Sequence, residues 1–568
     1  MHDVVIRGGS VIDGTGAGRR TADVAIQSGR IRAIGREVGS GRRTIDADGL
    51  IVAPGFIDVH THLDVQGFWD SALTPSPLHG VTTVFGGNCG FSVSPLDADA
   101  ASYLLPMLSR VEGMPVTSLE LGVPWDWTST ADYLDRLDGT LAINAGFMIG
   151  HCALRRVVMK DAATERPATP DEIEQMSDLL RAGLGAGGIG FSSSWSITHN
   201  DASGHPVPSR HATADEVVAL AAVCGEFPGT SLEFVAGQEW DDARRQVMVD
   251  MTVAARRPLN WNLLAPSARG REASYQQLAL SDVARAAGGK IVGLVIPFVS
   301  QFRMSFYSGF VLDSFEGWGE PMTLPPAEKV ALLADRAARN RLAELAAADP
   351  RRVALADWGA KRILETFTPE TKRYEGRQVA DIASETGKTA FDALVDIVVA
   401  DGLRTGFTYG LESDDPADWD VRRELWLDPR TVVGGSDAGA HLDMLSTFSF
   451  ATDLLSVGVR ERGLITTEEA VRLLTSEPAG LYGLVDRGIL REGAVADIVV
   501  FDEETVGHDQ VRSKFDLPGG AGRLYCEGVG IEQVLVNGET LVARGELTGA
   551  RTGAILRSGR DTTTPSLA

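Results

Sequence analysis

The sequence predicts an α/β protein: a (β/α)8 TIM-type barrel with a small β-sandwich domain formed by both chain termini. Three observations predict it. Eight short apolar runs alternate with polar turns and helical patterns through the middle of the chain, and hairpins with turn-forming dipeptides sit near both ends. At 568 residues the chain also exceeds the size at which a single core stops growing.

The elements follow in order. Asp23 to Gly35 reads DVAIQ-SG-RIRAIG, two alternating strands around Ser28-Gly29. Val534 to Val542 reads VLV-NG-ETLV, and Asn537-Gly538 suits the positive φ values of a type I′ turn. Ala496 to Asp502 is a further strand. Hairpins are marginal alone, so residues 1–52 and 488–550 are expected to build one β-domain. Between them, residues 53–487 hold candidate strands starting at Gly55, Val81, Ala145, Gly188, Ser231, Leu259, Ile291 and Thr431. Their apolar character on both faces suits parallel strands covered by helices. Thr169 to Glu172 and Thr213 to Glu216 are capping-box patterns, in which Thr accepts from the backbone and Glu reaches back. A barrel of this kind carries its active site at the C-terminal ends of the strands. The interval from Pro297 to Arg430 is too long for one connection and predicts an inserted subdomain or lid over the mouth.

Net charge is −24, which argues against nucleic acid or an anionic membrane as partner. The four cysteines (89, 152, 224 and 526) are too few and scattered for a disulfide framework. No secretory pattern opens the chain, and no apolar run approaches the roughly 20 residues that span a bilayer. The expectation is a cytoplasmic protein with reduced thiols and a small-molecule substrate. Oligomeric state, a homo-oligomer included, stays open.

The stretch APGFIDVHTHLD places His60 and His62 at the end of the first strand. Residues i and i+2 of an extended chain point to one side, so both imidazoles face the barrel mouth as a chelating pair would. Two polar residues in a turn are the plainer reading. Asp437, ending the eighth strand in VVGGSDAGAH, tips the balance, because imidazole and carboxylate converging there make a zinc-type site.

These stretches, with GVTTVFGGNCGFSVSP, GHCALR, EEAVRLLTSEPAGLYGL and RGILREGAVADIVVFD, run the length of the chain. Together they resemble the amidohydrolase superfamily and, within it, the N-acyl-D-amino-acid deacylases (D-aminoacylases). The resemblance implies that His60, His62 and Asp437 bind a metal, with Asp437 as general base, and that Cys89 of the NCG motif is a further ligand. A thiolate suits Zn2+; the alternative for Cys89 is a small residue packed in the core. His151, in GHCALRR, is expected at the site as a catalytic group supporting the oxyanion. Arg155 either grips a substrate carboxylate with its guanidinium fork or serves the structure. Arg156 is expected to cap or pair.

The chain departs from the family at strands five and six, where a binuclear site draws imidazoles. None of its ten histidines lies between His211 and His441. Strand six offers Asn262, and strand five offers Glu233 or Phe234 depending on register. Strand four lacks a lysine that carbamylation could turn into a bridge. The reading is therefore one tightly bound divalent metal, Zn2+. In the loop after strand four, His205 and His211 are expected to be solvated, while His199 comes soonest and is a candidate for substrate contact, acid–base work or substitute ligation. The expected activity is hydrolysis of the amide of an N-acyl amino acid. The alternatives are a cyclic amide or imide hydrolase on the same scaffold, and a catalytically degenerate barrel that binds a ligand.

Overall fold

The computed structural model describes residues 1–237, 240–299, 302–350, 352–408 and 414–567. Each of the eight expected strand positions carries a strand. Phe56–Asp58, Val81–Gly86 and Asn144–Phe147 form one parallel arc. Ile149–Gly150, Gly190–Ser194, Ser231–Val235, Leu259–Leu264, Ile291–Val295 and Thr431–Val433 form a second. The third expected strand is interrupted at Met148 and belongs to both arcs, so it joins them through the chain itself. On the other side, the Asp437 N–H donates to the His60 carbonyl (3.1 Å) and the His62 N–H to the Ala438 carbonyl (2.7 Å). The predicted ligands thus sit at this second junction. Ile57, Phe85, Met148, Ile189, Leu294 and Val432, drawn from both arcs, pack together as one apolar cluster, which the stacked ring of Tyr482 joins against Phe85 (4.1 Å).

The two chain ends meet in a single nine-stranded sheet. Its seam is Ile51–Pro54 against Ile498–Phe501, antiparallel. Both predicted hairpin turns place two residues at positive φ: Ser28 and Gly29 (52° and 74°), Asn537 and Gly538 (50° and 86°). That backbone twist matches the flanking strands. An excursion from this sheet, residues 507–529, forms two nested antiparallel pairings, Gly507–His508 with Gly528–Val529 and Arg512–Lys514 with Arg523–Tyr525, and the Leu524 N–H donates to the Leu442 carbonyl (2.6 Å). Residues after 550, left outside the expected β-domain, also have a place: Ile555 pairs with Ala145, and Ile555 and Leu556 are fully buried.

Within the long interval, residues 303–408 carry their own hydrophobic cluster, centred on Phe306, Trp318, Trp358, Phe391 and Phe407. Arg303–Met304 and Ile363–Glu365 flank Gly406–Thr408 in an antiparallel sheet. Helix Pro416–Trp426 then returns to the main core through Trp419 and Trp426. Positions 300–301, 351 and 409–413 of the interval lie outside the described residues.

Of the two expected capping boxes, Thr169 with Glu172 forms both bonds, opening helix Pro170–Gly185. The second is half made. Thr213 caps the Glu216 N–H, but the Glu216 carboxylate turns inward to His151 and Arg155. A buried guanidinium without a counter-ion is far costlier than an unmade capping bond, so the core claims the carboxylate.

Candidate metal centre

His60 and His62 follow the first strand with their rings 5.4 Å apart and nearly perpendicular. Both Nε2 atoms face one carboxylate oxygen of Asp437, at 3.5 Å from His60 and 3.2 Å from His62. The Cys89 Sγ lies 3.5 Å from His60 Nε2, and one ligand atom from each of His60, His62 and Cys89 falls within 4.8 Å of the others. Local backbone places the thiol. In GGNCG, Gly87 (φ 75°) packs so tightly that a Cβ would lie 2.2 Å from the Met148 carbonyl oxygen, and Cys89 itself takes φ 57°. Asp437 (58°) and His441 (45°) share that left-handed conformation. Non-glycine residues there cost about 1 kcal/mol or more, and such strain gathers at functional sites.

The electrostatics describe a pocket built around positive charge. Burial lowers the His62 pKa, but the Glu112 carboxylate (3.4 Å from Nδ1) and Asp437 outweigh it and hold the ring protonated, at about 10. Burial likewise pushes Asp437 up, yet the two imidazoles keep it well below the usual carboxylate range. Its side chain retains 34% exposure, the opening of an otherwise closed cluster. Burial keeps His60 neutral and raises the Cys89 thiol well above its ordinary value, with the Glu233 carboxylate adding to the rise. Buried carboxyls surround the cluster: Asp58, Asp64 and Glu112 are raised by burial to about 7, 6 and 7. Two imidazoles, a thiol and a carboxylate converging in an acidic pocket are a donor set that fits a divalent cation such as Zn2+.

Strand five resolves its register in favour of Glu233. The carboxylate accepts from the Cys89 N–H (2.9 Å) and from the Asn262 amide, and burial raises it to about 8. Phe234 instead packs against Trp195. Strands five and six thus meet in a buried carboxyl–amide pair.

His199 lies at the edge of the cluster. Its ring is 4.9 Å from Phe91, its Nδ1 is bonded to Ser194 Oγ (2.7 Å), and burial lowers its pKa to about 3, with the charge of His62 contributing. His205 is exposed, as expected, and His211 is half-buried. His151 and Arg155 both bond to the buried Glu216 carboxylate, and of the two readings of Arg155 it is the structural one that finds its partners. His151 is fully buried, bonded through Nδ1 to Ser193 Oγ and through Nε2 to Glu216, both at 2.9 Å. The Arg155 guanidinium is fully buried too, held by Glu216 and by the carbonyls of Ala163 and Arg166. All three of its nitrogens are bonded within the protein. Arg156 pairs with Asp99 and Asp161 and lies over the Tyr103 ring.

Two neighbours escaped sequence reasoning. Glu112, just past helix Ala98–Val111, belongs to no motif and meets His62 only through the fold. His441 was visible in SDAGAH without a role; its N–H donates to the Glu112 carbonyl and its ring lies 4.9 Å from Phe310.

Known proteins agree with this architecture. Residues 43–542 match the model of the amidohydrolase family. The chain is 30% identical to a D-aminoacylase of Alcaligenes xylosoxydans xylosoxydans over 98% of its own length and 97% of that protein's. To an N-acyl-D-aspartate deacylase of the same organism it is 31% identical, covering 98% and 95%. Among solved structures, an N-acyl-D-glutamate deacylase from Bordetella bronchiseptica, complexed with zinc and a phosphonate inhibitor, superposes with a TM-score of 0.65 at 27% identity, covering 98% of this chain and 100% of that one. This chain belongs to the amidohydrolase family.

Proposed function

We propose that the protein is a zinc-dependent hydrolase that deacylates an N-acyl amino acid. The observation that carries this is the convergence of both imidazole Nε2 atoms on Asp437, with the Cys89 thiol beside His60. We read the two arcs as a closed (β/α)8 barrel, residues 53–487, with 1–52 and 488–550 as its β-sandwich partner and an insertion within 297–430.

His60, His62, Cys89 and Asp437 would hold one Zn2+, which supplies Lewis-acid polarisation of the amide carbonyl and of water. Asp437, kept ionised by its two imidazole neighbours and open on one side, accepts the proton of the attacking water and returns it to the leaving amine. Neutral His199, beside the cluster, is placed to donate toward the substrate oxygen as charge develops. His151, bonded to Ser193 of strand four and to Glu216, supports that strand. The Glu233–Asn262 pair fills the second position and supports a single-metal centre.

Metal analysis of the purified protein, with a screen of N-acyl D- and L-amino acids, tests the reading. About one equivalent of zinc is expected, and His60→Ala is expected to lose metal together with roughly 100-fold or more of the activity. Full hydrolysis by that variant would sink the reading.

A further inference from the structure

A cleft of about 650 Å³ has in its lining His441, four residues beyond Asp437, and Gly113, next to Glu112. Its chemistry opposes that of the whole protein. In a chain of net charge −24, the charged residues lining it are Arg110, Arg303, Arg404, Arg523 and Asp443. Three of the arginines are already committed: Arg110 to Asp313, Arg303 to Glu365 (2.5 Å) and Arg523 to Asp516 (2.8 Å). Arg404 has no carboxylate partner among the described residues. Its guanidinium instead lies over the Phe367 ring, 4.9 Å from the centroid.

That platform is anchored. The buried Asp401 carboxylate accepts from the N–H groups of Phe367 (2.7 Å) and Thr368 (2.8 Å), while the Asp401 carbonyl accepts from the Arg404 N–H (3.3 Å). One buried residue thus fixes both the ring and the turn that carries the cation, and Phe515 packs edge-on against Phe367 (5.8 Å). A guanidinium stacked on an aromatic ring keeps its hydrogen-bonding edge free, oriented for the two oxygens of a carboxylate.

We propose that this cleft is an anion-selecting substrate subsite, in which Arg404 on the Phe367 platform holds a carboxylate of the substrate while the amide lies toward His441. The proposal rests on the amide-hydrolase reading for the word substrate, but the subsite itself can be tested without turnover.

The test uses the zinc-loaded full-length protein with Arg404→Met and Arg404→Lys. Calorimetric titration with N-benzoylglycine and its neutral counterpart N-benzoylglycinamide is run beside hydrolysis of N-acyl amino acids. The protein is expected to bind the acid roughly 10- to 100-fold more tightly than the amide, the range of a hydrogen-bonded charge. Arg404→Met is expected to erase that preference and to raise KM by a similar factor, with Arg404→Lys keeping part of both. An unchanged preference in Arg404→Met, an equal loss for acid and amide, or no binding of either ligand overturns the proposal. An Arg404-dependent charge preference in a protein that hydrolyses none of the amides would uphold the subsite and overturn the hydrolase reading instead.

Discussion

At the scale of single residues, Glu216 shows how one side chain answers to two calls. Its sequence context asks for a capping box; its position offers a buried Arg155 and His151. Burial alone would raise its pKa, but His151 and Arg155 outweigh that and hold it near about 2. The unfolded value is about 4.3. A depressed carboxylate contributes its stability fully above the unfolded value and loses it as pH falls through the folded one. Glu216→Gln is therefore expected to lower stability by about 3 kcal/mol at neutral pH, since it strands a buried guanidinium. The gap in thermal midpoint between the variant and the native protein should narrow as pH drops from about 4.3 toward 2. A gap that stays constant through that window would show that the ion pair is not the cause. The same residue explains why sequence left Arg155 with two readings. GHCALRR shows that an arginine follows a strand end, but the carboxylate that claims it lies 61 positions further on.

At the scale of elements, strands were legible because their signal is local. Apolar runs and turn dipeptides marked all eight parallel strands, and Asn537-Gly538 marked its own turn. His60, His62, Cys89 and Asp437 were legible because each ends a strand or follows one within a short motif. Glu112 was not, since it meets His62 only through the fold, nor was the cleft, which is lined by residues of the insertion and of the 507–529 excursion. The insertion itself announced only its length. Its separate core holds Trp318 stacked on Trp358 at 5.8 Å and 12°, with Phe306, Phe315 and Phe391 around them. Trp318→Ala is expected to cost the insertion about 3–5 kcal/mol. Limited proteolysis should then cut within 303–408 while the remaining core and its bound metal persist. Loss of metal at the same rate as cleavage would show that the insertion and the parallel strands unfold as one unit.

At the scale of the whole molecule, the chain divides its labour between the two ends of the parallel strands. The carboxyl ends hold the histidines, Cys89 and Asp437, where strained backbone and buried charge are expensive. The amino ends are bound together by the last residues of the chain. The Gly553 N–H donates to Leu141 (3.0 Å), the Ser558 N–H to Gly187 (3.1 Å), and Thr562 Oγ1 to the Gly229 carbonyl (2.7 Å). These acceptors precede strands three, four and five, so one segment ties three neighbours across the face opposite the site. Ile555 and Leu556, both fully buried, add about 2 kcal/mol each on removal from water. Deleting residues 553–568 should lower the thermal midpoint by roughly 5–10 °C. Because the bonds above lie at the strands' amino ends, away from His60, His62, Cys89 and Asp437, zinc bound per folded molecule should stay at the full-length value. A midpoint within about 2 °C of the full chain would mean that the segment follows the fold without holding it.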